Sequence, residues 1–187
     1  MRLVSSAILA DREFYQAKLV LDAQLSAPKP LPLSVNGLSD GARDAFLAEL
    51  LHYVGEERKA PTLLLAEDES EARTLASRLA AEGIRALYYP ARDFVLLNIS
   101  ASHDVERERL GVLSALLSGE CAAVVTTPYA ALQYTMPTAV LRALSLSLSA
   151  STEISPDELS ARLVSMGYAR VDTVESVGQF ARRGGIR

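Results

Sequence analysis

Residues 35–46, with the sequence VNGLSDGARDAF, have the spacing of a phosphate-binding loop. They follow an apolar run, residues 31–35, and lead into an amphipathic segment, residues 42–51. The sequence therefore predicts a strand, a glycine turn and a helix in that order. This is the structural context in which backbone amides and a helix N-terminus bind phosphate.

The residue types in this segment do not suit a nucleotide. When Gly37 is the first glycine of the G-x-x-x-x-G-K-[ST] pattern, the last three positions fall on Ala42, Arg43 and Asp44. The second glycine is lost, arginine replaces lysine, and a carboxylate stands where a hydroxyl should hold magnesium. The sequence thus predicts a degenerate phosphate loop with no bound cofactor.

A second pattern lies near the C-terminus, where Phe180 precedes the paired arginines Arg182 and Arg183 and two glycines. Arginine is favoured at interfaces because its guanidinium group is weakly hydrated and donates two parallel hydrogen bonds. One interpretation is a strand that presents these side chains to a protein partner. A solvated edge strand explains the same residues equally well.

The remaining reactive residues predict structural roles. His52 and His103 have no nucleophile or carboxylate pattern around them, and Cys121 stands within an apolar run. The acidic cluster of residues 67–71 could hold a metal, but a helix N-terminus also favours negative charge. We predict no catalytic residue and no metal site.

Composition indicates a globular protein with a real core. The chain has 187 residues, of which 49% are hydrophobic and 22% charged, and its formal net charge is -4. This net charge argues against nucleic-acid binding by bulk electrostatics. The apolar part of the N-terminal segment is too short for a convincing signal peptide, and no stretch approaches a membrane span. We expect a cytoplasmic protein with no membrane partner.

Up to about residue 140, apolar runs alternate with amphipathic segments, which predicts βαβ units and a mostly parallel sheet. The run of residues 62–66 suits a strand that is covered on both faces. In the helix predicted over residues 103–117, we expect Glu106 and Arg109 to point largely outward. The predicted helices are residues 5–26, 42–51, 69–82, 103–117 and 128–133, and the predicted strands are residues 31–35, 62–66, 84–89 and 122–126.

The pattern changes after residue 140. Residues 144–148, LSLSL, alternate as a strand with one wet face would, and Ser155 followed by Pro156 predicts a helix start. Residues 168–174 and 179–183 predict two further strands. The fold class is therefore α/β: a parallel-sheet, P-loop-like domain over residues 1–140, and then an incomplete small α+β domain over residues 141–187.

Taken together, these patterns resemble the UvrB-homology region at the N-terminus of the transcription-repair coupling factors, the Mfd family. The likeness runs from about residue 30 to the end. It is carried by residues 37–46, 89–93 with 99–100, 104–113 with 124–127, and 163–172 with 178–186.

The resemblance implies a motor-like first domain, similar to UvrB domain 1a, whose phosphate loop has decayed. It also implies that the second domain, similar to UvrB domain 2, binds the damage-sensing subunit UvrA. In the family, an arginine just before the Arg-Gly turn helps to form this contact with UvrA, and its position corresponds to Arg183. There is no room between Tyr89 and His103 for the DNA-clamping hairpin of UvrB. The family's motor, its RNA-polymerase-binding module and its DNA-translocase motifs have no counterpart in these residues, so we expect a fragment.

The leading hypothesis is a non-catalytic module that recruits UvrA to stalled RNA polymerase, while RNA polymerase and DNA contact other domains of the parent translocase. The alternative is a nucleotide-binding ATPase or helicase-like domain that tolerates Arg43 in its phosphate loop. A third possibility is a free-standing regulatory paralogue that is folded as it stands.

Overall fold

The computed structural model describes residues 2–58, 60–92 and 99–183. The chain divides into two compact units, residues 1–133 and residues 134–187. Both units mix helices with a small parallel sheet, in agreement with the predicted α/β class. Predictions that concern Asp93, residues 184–187 and the side chains of Asp40 and His103 lie outside the described residues.

The first unit contains most of the regular structure. Its elements are α1 (Arg2–Ala10), α2 (Arg12–Ser26), α3 (Asp40–Arg58), β1 (Thr62–Leu65), α4 (Glu69–Ala81), β2 (Ala86–Tyr89), α5 (Ile99–Leu117), β3 (Ala123–Thr126) and α6 (Pro128–Ala131). None of the described helices is both long enough and apolar enough to cross a lipid bilayer.

The three strands of this unit form a parallel sheet in the order β1–β3–β2. All four residues of the central strand β3 are buried. One face packs on residues of α3 and α4, including Leu51 and Leu79, and the other face packs on Val112 and its neighbours in α5. The core therefore lies on both sides of β3.

The prediction that β1 is covered on both faces is wrong, because one face of the strand is exposed. Leu63 and Leu65 are 58% and 57% exposed, although Leu64 between them packs against the core. Leu63 lies beside Val124 in the sheet, on the face where the core cluster contains α5 residues and residues of β2 and β3 but none of β1. A continuous apolar run predicts a strand, but it does not reveal how far the covering helix extends.

The N-terminal region also differs from the prediction of one helix over residues 5–26. Asp11 interrupts it and caps α2, because its carboxylate accepts hydrogen bonds from the amides of Glu13 (2.8 Å) and Phe14 (3.0 Å). Such a cap competes with continuation of the preceding helix. Phe14 is buried and meets Phe46 of α3 edge-to-face at 5.2 Å between ring centroids.

The strand predicted over residues 31–35 is absent, since residues 30–39 form no regular structure. Proline at positions 28, 30 and 32 removes backbone donors that a ladder would need. The amide of Leu31 donates instead to the side chain of Gln24 at 2.6 Å. The strand that should precede a phosphate loop is therefore missing.

The second unit contains α7 (Thr138–Ala143), α8 (Pro156–Ser165), β4 (Ala169–Arg170) and β5 (Gln179–Phe180). Ser155 caps α8 as predicted, because its hydroxyl accepts from the Glu158 amide at 3.1 Å. The strand predicted over residues 144–148 is wrong, and α7 was not predicted. The two later strands exist as a parallel pair, but each is only two residues long.

Candidate interaction surface

Three of the predicted phosphate-loop residues, Ala42, Arg43 and Asp44, lie at the start of α3, where Arg43 and Asp44 form ion pairs. The Arg43 guanidinium lies 3.3 Å from the carboxylate of Glu71, and Asp44 accepts a hydrogen bond from Arg78 at 2.8 Å. Both partners belong to α4, so these pairs connect α3 to α4. Gly37 has a φ of +83° in the irregular segment before the helix. The structure thus gives Arg43 and Asp44 ionic partners within the protein.

In the structure, the strand–loop–helix sequence that the phosphate-loop prediction requires occurs one element later, from β1 into α4. Its helix N-terminus is acidic: Asp68 caps α4 by accepting from the Glu71 amide at 2.8 Å. Glu69 accepts hydrogen bonds from the Thr127 hydroxyl at 2.8 Å and from the Ala91 amide at 3.2 Å. Carboxylates therefore use the positive end of this helix dipole, which would otherwise favour a phosphate.

Glu69 also accepts a hydrogen bond from the hydroxyl of Tyr88. Burial raises the pKa of Tyr88 well above its ordinary value, and the hydrogen bond to Glu69 adds to the effect. Glu69 thus joins the beginning of α4 to the ends of β2 and β3. In the described residues the acidic cluster of residues 67–71 acts as a helix cap and as an acceptor in this network.

Arg109 of α5 is buried, with 1% of its surface exposed, which corrects the expectation that it points outward. Its guanidinium group stacks on the Tyr89 ring at 4.0 Å and donates to the Pro90 carbonyl at 2.6 Å and to Gln133 at 3.2 Å. Burial lowers the pKa of Arg109. The helical spacing could have predicted this burial, because Arg109 lies four residues after Val105 and three before the buried Val112, on the same face of the helix.

Gln133 holds the segment that follows β2. Its side-chain oxygen accepts from the Arg92 amide at 2.7 Å, and its side-chain nitrogen donates to the Arg92 carbonyl at 3.1 Å. The Arg92 guanidinium pairs with Glu106, and this hydrogen bond raises the pKa of Arg92. Residues 89–92, which carry part of the family resemblance, are therefore fixed by α5 and by the residue that ends the first unit.

In the second unit, β5 ends at Phe180, and the paired arginines of the predicted pattern follow it in residues 181–183, which form no regular structure. Phe180 is half-buried and lies beside Arg170 of β4 in the parallel register. Arg182 forms an ion pair with Asp157 in the first turn of α8, whereas Arg183 is exposed and has no ion pair with a described residue. The structure thus separates the roles of the paired arginines and adds Arg170, which the sequence pattern did not single out.

Residues 146–186, within the second unit, match the family model of the UvrB interaction domain. The chain is also 32% identical over 164 residues to the transcription-repair-coupling factor of Bacillus subtilis, an alignment that covers 81% of this chain and 14% of that protein.

Over about four-fifths of its length, the chain is homologous to the transcription-repair-coupling factors.

Another transcription-repair-coupling factor, that of Myxococcus xanthus, is 35% identical over 161 residues, covering 80% of this chain and 13% of the relative. The one from Staphylococcus aureus strain MRSA252 is 27% identical over 155 residues, covering 81% and 13%. These findings confirm the resemblance inferred from sequence. The chain spans about a seventh of the length of the transcription-repair-coupling factors that it matches.

Proposed function

We propose that this chain is a non-catalytic protein-interaction module that recruits the excision-repair subunit UvrA to stalled RNA polymerase. The observation that carries the proposal is the match of residues 146–186 to the UvrB interaction domain. The relatives' name, transcription-repair-coupling factor, describes the same link between transcription and repair. In the relatives, RNA polymerase and DNA would contact segments beyond this chain, and the translocase activity would reside there too. Such a role belongs in the cytoplasm.

The contact with UvrA centres on β5. Arg183 is the principal contact because its guanidinium group is exposed and no described carboxylate neutralises it. Arg170 is exposed and lies beside Phe180 in the strand pair, so it is a second cationic group next to β5. Arg182 contributes through its ion pair with Asp157, which connects the residues after β5 to α8. A partner with exposed carboxylates complements this surface.

The rival function, a nucleotide-binding ATPase, has weaker support. A nucleotide at the predicted loop would have to displace Glu71 from Arg43 and would meet the carboxylate of Asp44. The acidic N-terminus of α4 also disfavours phosphate. Magnesium-dependent binding of a fluorescent ATP analogue at micromolar concentration would favour the rival.

Calorimetric titration of UvrA with the 187-residue chain tests the proposal. The wild-type chain should bind, and Arg183→Ala should lose roughly 2–4 kcal/mol of binding free energy, as expected for a central charged anchor. Arg162→Ala is the matched control, because Arg162 is an exposed arginine of α8 that pairs only within its own helix, with Glu158, among the contacts described. No binding by the wild-type chain would overturn the function, and undiminished binding by Arg183→Ala would overturn the assigned contact.

A further inference from the structure

Residues 171–178, which connect β4 to β5, form an ordered loop in the second unit. The side-chain oxygen of Gln179 accepts hydrogen bonds from the amides of Glu175 (2.9 Å) and Ser176 (3.1 Å). At the end of the loop, the Gly178 carbonyl accepts from the Ala169 amide at 2.8 Å, and Gly178 itself has a φ of +85°. The Gln179 side chain and the Gly178 turn therefore hold the end of the loop, and the Val171 amide, which donates to the Phe180 carbonyl at 3.0 Å, holds its start.

The loop exposes apolar surface that its own fold does not use. Val174 is 51% exposed and Val177 is 67% exposed. Single exposed apolar residues are ordinary on protein surfaces. Two valines on one short loop, held in place by dedicated hydrogen bonds, form a preorganised apolar contact whose ordering entropy is already lost before a partner binds.

We infer that Val174 and Val177 form the apolar part of the UvrA-binding surface, and that Gln179 is the positioning residue that presents them. The inference rests on the proposed function and extends it from the arginines to the loop. Gln179 directly precedes Phe180, so the loop is continuous with the strand that carries the proposed contact. The matched UvrB interaction domain, residues 146–186, also contains the whole loop.

The charges around the valines define the complementary surface. The loop carries the carboxylates of Asp172 and Glu175, whereas Arg170 ends β4 and Arg183 follows β5 by three residues. Stable interfaces commonly surround an apolar centre with a polar rim. The fitting UvrA surface thus has an apolar patch, with acidic groups opposite the arginines and basic groups opposite the loop carboxylates.

The test is calorimetric titration of UvrA with the 187-residue chain that carries Val174→Ser and Val177→Ser together. We expect affinity to fall by about tenfold or more, the effect of truncating apolar groups at an interface. Val164→Ser is the matched control, because Val164 is a 56% exposed valine on α8 in the same unit. It should leave affinity within about twofold of the wild-type value.

The positioning role of Gln179 has its own readout. Gln179→Ala should speed hydrogen exchange at the amides of Glu175 and Ser176 and should weaken UvrA binding. Gln179→Glu retains acceptor oxygens at the same place, so it should restore both slow exchange and affinity. Faster exchange with unchanged affinity would assign Gln179 a purely structural role and overturn its part in binding.

The outcomes separate the two proposals. If the wild-type chain fails to bind UvrA, the proposed function and the loop contact are both overturned. If the wild-type chain binds, Arg183→Ala weakens binding and the double valine variant binds as well as Val164→Ser, only the loop contact is overturned. A selective loss with the double valine variant supports the inference.

Discussion

The guanidinium group of Arg109 is buried on the side of α5 that faces β2. Its guanidinium group lies over the Tyr89 ring, and Nη1 donates to the Pro90 carbonyl and to the side-chain oxygen of Gln133. Two further nitrogens of Arg109, Nε and Nη2, have no hydrogen-bond partner among the described residues. The group therefore stabilises the fold by packing and by these two hydrogen bonds, against a desolvation cost that lowers its pKa.

Arg109→Ala should lower the free energy of unfolding by about 2–4 kcal/mol, because it opens a cavity and leaves the Pro90 carbonyl unpaired. Urea denaturation measures the change. Arg107→Ala, two residues away on the same helix, is the control: Arg107 is exposed and pairs with Asp104 at 3.4 Å. The control should cost less than about 0.5 kcal/mol. Equal costs for the two variants would contradict the importance of the buried guanidinium.

Tyr88 makes the stability of the first unit sensitive to alkaline pH. Burial and the hydrogen bond to Glu69 raise its folded-state pKa, whereas in the unfolded chain the phenol ionises near 10.0. Above that pH the unfolded chain loses a proton that the folded protein keeps, so stability falls as pH rises. Between about pH 9 and pH 12, the urea midpoint of Tyr88→Phe should fall less steeply with pH than that of the wild-type protein. The same slope in Tyr88→Phe and wild type would contradict this linkage, and the exposed Tyr129→Phe is the control.

At the level of elements, α8 shows how local sequence signals suffice when capping residues are strong. The Ser155 hydroxyl accepts from the Glu158 amide, Pro156 occupies the first helical position, and Gly167 follows the helix with a φ of +91°. No residue of α8 is fully buried, so packing contributes little to its formation. Caps and helix propensity therefore account for this helix.

Ser155→Ala should weaken α8 by about 1 kcal/mol, since it removes the acceptor for an unpaired helix amide. Hydrogen exchange over residues 158–165 should then become about fivefold faster. Ser160→Ala is the control within the same helix, because the Ser160 hydroxyl donates only to the Pro156 carbonyl, at 2.6 Å, among the described contacts. If both variants exchange alike, the cap does not determine the stability of α8.

Other elements show where local signals fail. Residues 144–148 have the alternation of a strand, but no neighbouring strand pairs with them among the described residues, and they form no regular structure. The strands predicted over residues 168–174 and 179–183 are only two residues long in the structure. Within the described part of the chain each pairs only with the other, so neither has a second neighbour that would extend the ladder. A strand needs a partner ladder, which a periodic pattern cannot supply by itself.

At the scale of the whole molecule, the two units differ in how much they bury. In the first unit β3 is buried along its length, whereas in the second unit α8 buries no residue and β4 is exposed. Since burial of apolar surface is the main source of stability, the second unit should open with the smaller free energy.

Native-state hydrogen exchange should show this difference directly. The amide of Val125 in β3 should be protected about 100-fold or more beyond the amide of Val171, which donates to the Phe180 carbonyl at 3.0 Å. Equal protection at these two sites would mean that the units open together. If UvrA is added, protection at Val171 should rise while protection at Val125 stays the same, because the proposed contact lies only in the second unit.

The sequence by itself determined the features that depend on short-range chemistry. The core strands β1, β2 and β3, the helix α4 with its acidic start and Gly83 end, and the capped α8 follow from apolar runs and capping residues. The family resemblance likewise follows from residue types and their order, and the same residue types predict that the phosphate loop is degenerate.

Only the tertiary structure decided the features that depend on partners distant in sequence. In the structure Arg109 is buried against Tyr89, and Leu63 and Leu65 are exposed on a strand face that no described helix covers. Arg182 pairs with Asp157, whereas Arg183 is exposed. The physical reason is the same in each case. Burial and pairing depend on which elements meet, and a periodic pattern records only that a face is suited to contact, not what it contacts.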